Sequence, residues 1–172
     1  AILFAEFLGE KVFKQRVKIY ATDIDTGALQ QARTAQYSEK SVEFLPKEIL
    51  QRYFVKQDEC YVFRKDMRRS IIFGEHNIIS DVPISKLDLV TCRNLLIYLN
   101  ADAQKQVLKS FYYALNPHGY LLLGKAETLL INSECYKPVR LRERIFEMCP
   151  GVQQERKVIG PQKPINTDSF LN

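Results

Sequence analysis

The chain has 172 residues, of which 46% are hydrophobic and 26% charged, a size and balance that suit one soluble globular domain with its own core. No apolar run reaches the length of a membrane span and no signal peptide is visible, so direct membrane insertion is not expected and a cytoplasmic location is. The net charge of +5 is not gathered into one long run, so it permits an acidic partner without demanding nucleic acid. The scattered cysteines Cys60, Cys92, Cys135 and Cys149 lack metal-ligand spacing and are expected to be reduced thiols, with no metal site.

Taken in order, Ala1 to about Val12 has the pattern of an amphipathic helix with Leu3, Phe4, Phe7 and Leu8 on its buried side. No N-cap precedes it, so the chain is expected to start inside an element, as a fragment. Val17 to Thr22 predicts a strand. It ends at Asp23, a carboxylate suited to accept hydrogen bonds from both hydroxyls of a ribose. In that layout a glycine-rich turn lies about 20 residues upstream, which here falls near or before the first residue. Asp25 with Thr26 reads as the N-cap of a following helix.

Pro46 at a first helical position predicts a helix over 47–54. Two strand-like runs follow, Cys60 to Phe63 and Ser70 to Phe73, joined by a loop containing Arg64, Lys65, Arg68 and Arg69. Together they suggest an inserted antiparallel ribbon over about 55–73, although Ser70 to Phe73 also suits a main-sheet strand. The basic loop is either a solvated surface or a contact for an acidic partner. Asn77 lies just past that strand, and its amide suits the edge of an adenine ring. His76 reads as structural.

Leu87 to Thr91 is an unbroken apolar strand of the kind expected in a parallel sheet covered on both faces. Arg93 and Asn94 follow where the strand must end, and ligands of open α/β sheets sit at such ends. They either bind a ligand there or merely close the loop. Asn100 to Gln104 starts a helix that carries Val107, Leu108, Phe111, Tyr112 and Leu115 on one face. Asn116 to Gly119 reads as a tight turn, Tyr120 to Leu123 as a buried strand, Lys125 to Thr128 as a loop at its carboxyl end, and Arg144 to Met148 as a last strand. Residues 150–172 are polar and aperiodic and read as a flexible tail or linker.

Several of these segments converge on one family. Ala21-Thr22-Asp23-Ile24-Asp25-Thr26, Leu50-Gln51-Arg52-Tyr53-Phe54, His76-Asn77-Ile78, Cys92-Arg93-Asn94 through Ile97-Tyr98, Asn116-Pro117-His118-Gly119 and Gly124-Lys125-Ala126-Glu127-Thr128 resemble, in this order, the chemotaxis receptor methyltransferases. The resemblance implies an α/β fold: a Rossmann-like S-adenosylmethionine-dependent methyltransferase core over 1–149 with a small inserted antiparallel β-subdomain. The family's first strand and cofactor loop, of the form G-E-E-x-Y-S, are expected to be missing, as is the glycine-rich hairpin of the ribbon. The implied cofactor is S-adenosylmethionine, with S-adenosylhomocysteine as product. The implied activity is O-methylation of glutamate side chains on the cytoplasmic domain of methyl-accepting receptors. By the resemblance, Asp23 binds the ribose, Asn77 and Ile78 lie beside the adenine, Arg93 and Asn94 line the cofactor and active-site pocket, and Tyr98 stands close to the transfer site. Arg93 and Tyr98 are the candidate catalytic pair. The rival reading is a catalytically inactive, methyltransferase-like module that binds partners, other domains of a fused polypeptide among them, inside a larger signalling protein. Nucleic-acid methylation is disfavoured because no Asn/Asp-Pro-Pro-aromatic pattern precedes Arg93.

Overall fold

The computed structural model describes residues 1–125, 127 and 135–151. The chain divides into two compact units, one ending at Asn77 and the other beginning at Ile78, where its length predicts a single body.

The first unit opens with two short helices, α1 (Ile2–Leu8) and α2 (Glu10–Arg16). The sequence pattern predicts one helix; Gly9, at φ 83, breaks it, and the second continues past the expected end at Val12. Ala5 and Phe13 are buried with Tyr53, Phe63 and Met67, and Ile2 packs partly against them. The stripe expected to face inward does the opposite: Leu3 and Phe7 are 85% and 88% exposed. The helix docks through its small Ala5 side, and the bulky residues on the other face are left outside.

Strand β1 (Ile19–Asp23) leads through α3 (Thr26–Thr34) to β2 (Gln36–Ser38), and α4 (Glu39–Val42) and α5 (Lys47–Tyr53) follow. Then come β3 (Phe54–Gln57), β4 (Cys60–Phe63), α6 (Lys65–Arg68) and β5 (Ile71–Glu75). The antiparallel ribbon exists with different membership from that expected. Strand β4 pairs with β3 and β2, in the order β2-β4-β3, whereas Ile71–Glu75 pairs with β1 in parallel. Asp58, in the left-handed region at φ 49, closes the hairpin between β3 and β4. Phe54 and Phe63, opposite one another, meet edge to face with centroids 5.4 Å apart.

Arg64 and Arg68 of the basic run after β4 are engaged inside the unit, while Lys65 and Arg69 are exposed. The Arg64 guanidinium donates to both carboxylate oxygens of Glu10, at 3.1 and 3.0 Å, and to those of Asp66, at 3.1 and 2.8 Å. Lys14 reaches Asp66 at 2.9 Å. Arg68 donates to the carbonyls of Arg33 and Thr34. This network joins α2 to α6, and the Arg64 guanidinium, followed by the Lys14 ammonium, holds the Asp66 carboxyl well below the usual carboxylate range.

The second unit contains β6 (Leu87–Cys92), a single 3-10 turn (Leu96–Tyr98), α7 (Ala101–Ala114), β7 (Leu115–Leu123), β8 (Tyr136–Arg140) and β9 (Ile145–Met148). Its sheet runs β6-β7-β9-β8; β6 and β7 are parallel and the other pairs antiparallel. Asn100 caps α7 by accepting from the Ala103 amide at 3.0 Å. Ala103, Val107, Leu108 and Phe111 then bury one helix face in a cluster with Val90, Leu121 and Phe146. The expected turn at 116–119 lies inside the span of β7 as an interruption, because Leu115 pairs with Leu87 before the register shifts. At Gly119 a Cβ would come within 2.9 Å of the Asn116 carbonyl oxygen and 3.2 Å of that of Leu87, so a side chain has no room.

Among the described residues, β6 alternates in burial rather than being buried along its length. Val90 and Cys92 are buried while Leu89 is 39% exposed beside its register partner Tyr120. The other pair repeats this with Tyr20 and Ile72, which also stand opposite one another and exposed. Alternation from one residue to the next, rather than the apolar run as a whole, describes these strands.

Because the folded-state carboxyl of Asp66 is depressed, its stabilising contribution is complete above the unfolded value near 3.8 and is lost as pH falls below it. Asp66→Asn is therefore expected to cost on the order of 1 kcal/mol at neutral pH, reduced by solvent screening. The variant should also lose less stability than the parent as pH falls below about 4. Urea titrations of both proteins across that range check the sign.

Candidate functional site

In a parallel pair both strands run the same way, so their carboxyl ends lie at one edge. At that edge of the first unit Asp23 and Glu75 are register partners. The Asp23 side chain is exposed, and its Oδ1 accepts from the Asp25 amide at 3.0 Å. Its backbone carbonyl accepts from the His76 amide, also at 3.0 Å, which steers the chain out of β5 toward Asn77. Asp25 caps α3 by accepting from the Ala28 amide at 3.0 Å, as the spacing predicts. Arg33 donates to the Phe73 carbonyl at 3.1 Å and ties α3 to β5. Asp23 thus ends one strand and Asn77 follows the end of its neighbour in the same sheet, the first exposed and the second half-buried.

The remaining candidates belong to the second unit. Ile78 is half-buried and packs against the core of that unit. Arg93, Asn94 and Tyr98 all follow β6 within one loop. Cys92, the last residue of the strand, is buried; burial first, then the charge of Glu127, pushes its thiol up to about 12. It is therefore an inert packing residue rather than a nucleophile. Arg93 and Asn94 are exposed, and Tyr98 is 61% exposed.

The backbone of this loop is held at several points. Asn94 adopts the left-handed region at φ 57, and Leu95 follows at φ −117 and ψ −50. This alternation aims successive amides at one point, the geometry that receives an anion. The anion received is the carboxylate of Glu127, only 2% exposed. Its Oε1 accepts from the amides of Leu95 at 3.1 Å and Leu96 at 3.3 Å, and its Oε2 accepts from the Gly124 amide at the end of β7. On the other side of the 3-10 turn, Gln104 of α7 donates through Nε2 to the carbonyls of Leu96 and Leu99, both at 2.9 Å. An exposed guanidinium, amide and phenol therefore project from a backbone fixed at both ends of its turn. Such a set can orient a polar or anionic ligand with little reorganisation.

Sequence reasoning singles out the exposed groups and misses the two that hold them. Glu127 is visible only as part of the Gly124 to Thr128 segment, and Gln104 only as part of a helix start. The available signal was an acidic residue three positions after a glycine at the end of an apolar strand.

Comparison with known proteins places the sequence. The family profile described as "CheR methyltransferase, SAM binding domain" matches residues 1–145. The chain is 36% identical over 136 residues to an uncharacterized 104.1 kDa protein encoded in the hypE 3' region of Rhodobacter capsulatus, a match that covers 78% of this chain and 14% of that protein. It is 37% identical over 131 residues to chemotaxis protein methyltransferase 2 of Vibrio cholerae, covering 74% of this chain and 46% of the relative. It is 30% identical over 132 residues to the chemotaxis protein methyltransferase of Borreliella burgdorferi, covering 75% and 47%. The chain therefore spans about half the length of these two methyltransferases and a much smaller share of the Rhodobacter protein.

The left-handed backbone at Asn94 yields a test. Glycine accepts this conformation freely, whereas a β-branched residue does not. Asn94→Gly is expected to keep the melting temperature within a few degrees. Asn94→Val should lose about 1–2 kcal/mol. Calorimetric melting of the two variants separates them.

Proposed function

The chain belongs to the CheR methyltransferase family through its S-adenosylmethionine-binding domain, and on that premise we propose that the protein transfers a methyl group from S-adenosylmethionine to glutamate side chains of chemotaxis-type receptors. The family match over residues 1–145 carries this reading. The chemistry of the candidate residues fits the cofactor. In this reading Asp23, an exposed carboxylate at a strand end, holds the ribose hydroxyls. Asn77 supplies an amide to the adenine edge, and Ile78 supplies an apolar surface beside it. Arg93 and Asn94 line the cofactor and active-site pocket.

S-adenosylmethionine supplies a methyl group made electrophilic by its sulfonium. The acceptor glutamate is already ionised at neutral pH, its reference pKa being about 4.3, so the protein needs no general base to activate it. What remains for the protein is alignment and exclusion of water. Arg93 orients the incoming carboxylate by a charge-assisted hydrogen bond, and Tyr98 donates a hydrogen bond near the transfer site. The ester product has lost a negative charge, a local electrostatic change able to shift the balance of states in a receptor. The partners in this reading are the cytoplasmic domains of methyl-accepting receptors.

A second reading, a partner-binding module without turnover, is favoured by one observation: the Rhodobacter relative is a 104.1 kDa protein of which the matched region is 14%. The domain therefore also occurs as a small part of a much longer chain.

Calorimetric titration of S-adenosylhomocysteine distinguishes the two. The methyltransferase reading expects saturable binding that weakens by about tenfold or more in Asp23→Ala, the cost of roughly one charge-assisted contact. Absence of binding to the parent protein would remove the cofactor and leave the partner-binding module as the better account.

A further inference from the structure

We infer that Glu127 is a positioning residue for methyl transfer: its buried carboxylate, bound to the amides of Gly124, Leu95 and Leu96, fixes where Arg93, Asn94 and Tyr98 stand. The catalytic part of this inference rests on the function proposed above; the structural part does not.

Three observations support it. First, Glu127 is one of the few polar side chains in the described core, and it is 2% exposed. Burying a carboxylate costs far more than burying an apolar group of the same size. An aliphatic residue would fill the space, yet it could not receive three amides. Second, the partners are chosen by position. Gly124 lies just past Leu123, the last residue of β7, while Leu95 and Leu96 lie beyond the end of β6, so one side chain bridges the exits of two parallel strands. Third, the clearance at Gly124 is spent on this carboxylate. A Cβ there would lie 2.6 Å from Glu127 Oε2 and 3.6 Å from the Arg93 Cα. The glycine, the carboxylate and the Arg93 backbone are packed as one unit. Glu127 itself touches neither ligand nor acceptor in this account; it acts through the loop.

Two substitutions perturb the bridge in different ways. Glu127→Gln keeps the volume and can still accept from Leu95 and Leu96 through its single oxygen. Its amide nitrogen then faces the Gly124 N–H, donor against donor. Gly124→Ala leaves the charge intact and pushes the carboxylate away sterically. If the first variant fails to fold, the second still decides the question.

The experiment measures methyl transfer from S-adenosylmethionine to a methyl-accepting receptor. Alongside it, the backbone amide resonances of Leu95, Leu96 and Gly124 are recorded, and the folded fraction is taken from circular dichroism. Both variants are expected to be folded, to lose about 10- to 100-fold in kcat with a smaller change in KM, and to shift the amide resonances of Leu95 and Leu96, with that of Gly124 read only in Glu127→Gln. A loss of activity merely proportional to the folded fraction would reduce Glu127 to a packing residue and overturn the inference. So would normal kcat with unmoved resonances. Should the parent protein itself show no transfer, the proposed function fails. The amide resonances then still judge whether Glu127 holds the loop.

Discussion

Each group of candidate residues depends on a pair of parallel strands, one pair in each unit. A parallel pair cannot be joined by a tight turn, so the chain must leave one strand, cross over through other structure and return. The crossover from β1 to β5 takes in α3, the antiparallel ribbon and the short helices. The crossover from β6 to β7 is the 3-10 turn and α7. The benefit is a shared edge, because whatever follows the strand ends is brought to the same side. Asp23 and Glu75 are register partners for this reason in one unit, and Gly124 and Arg93 approach one another in the other.

Strand-end polar residues were legible because they interrupt an apolar run. Asp23, Arg93 and Asn94 all stand where a strand-like run, Val17 to Thr22 or Leu87 to Cys92, gives way to charge or amide. Capping was equally legible: Asp25 and Asn100 each precede a helical pattern, and each accepts from the amide three residues on. Pairing was harder. Nothing in Cys60 to Phe63 or Ile71 to Glu75 says which neighbour each will choose, since both are short and apolar. The choice turned on the Asp58 hairpin and on the Phe54–Phe63 contact, one a turn conformation and the other a tertiary meeting. The side of α1 that faces inward was misread because both faces are apolar, and two apolar faces give the helix little sense of direction. Glu127 was the least legible of all. Its contact with Gly124 is three positions away, but those with Leu95 and Leu96 span more than thirty, which the local pattern does not announce.

The charge distribution shows the same separation between composition and placement. A basic excess invites thoughts of an acidic partner, yet Arg64 is engaged by Glu10 and Asp66, and Arg68 by backbone carbonyls. These groups hold α2, α3 and α6 to one another. Like Lys65 and Arg69, Arg93 is exposed, at the end of a strand whose following backbone is anchored by Glu127.

The paired Tyr20–Ile72 and Leu89–Tyr120 positions, exposed on the second face of each parallel sheet, say something about wetting. A tyrosine ring presents an apolar body and a hydroxyl that stays hydrated at the rim, so it tolerates water and dry contact alike. A face built from valine and isoleucine alone would be driven strongly one way. With one tyrosine in each pair, the exposed face of each pair is only partly aliphatic. Each pair thus sets an aliphatic side chain beside an aromatic one whose hydroxyl keeps its water.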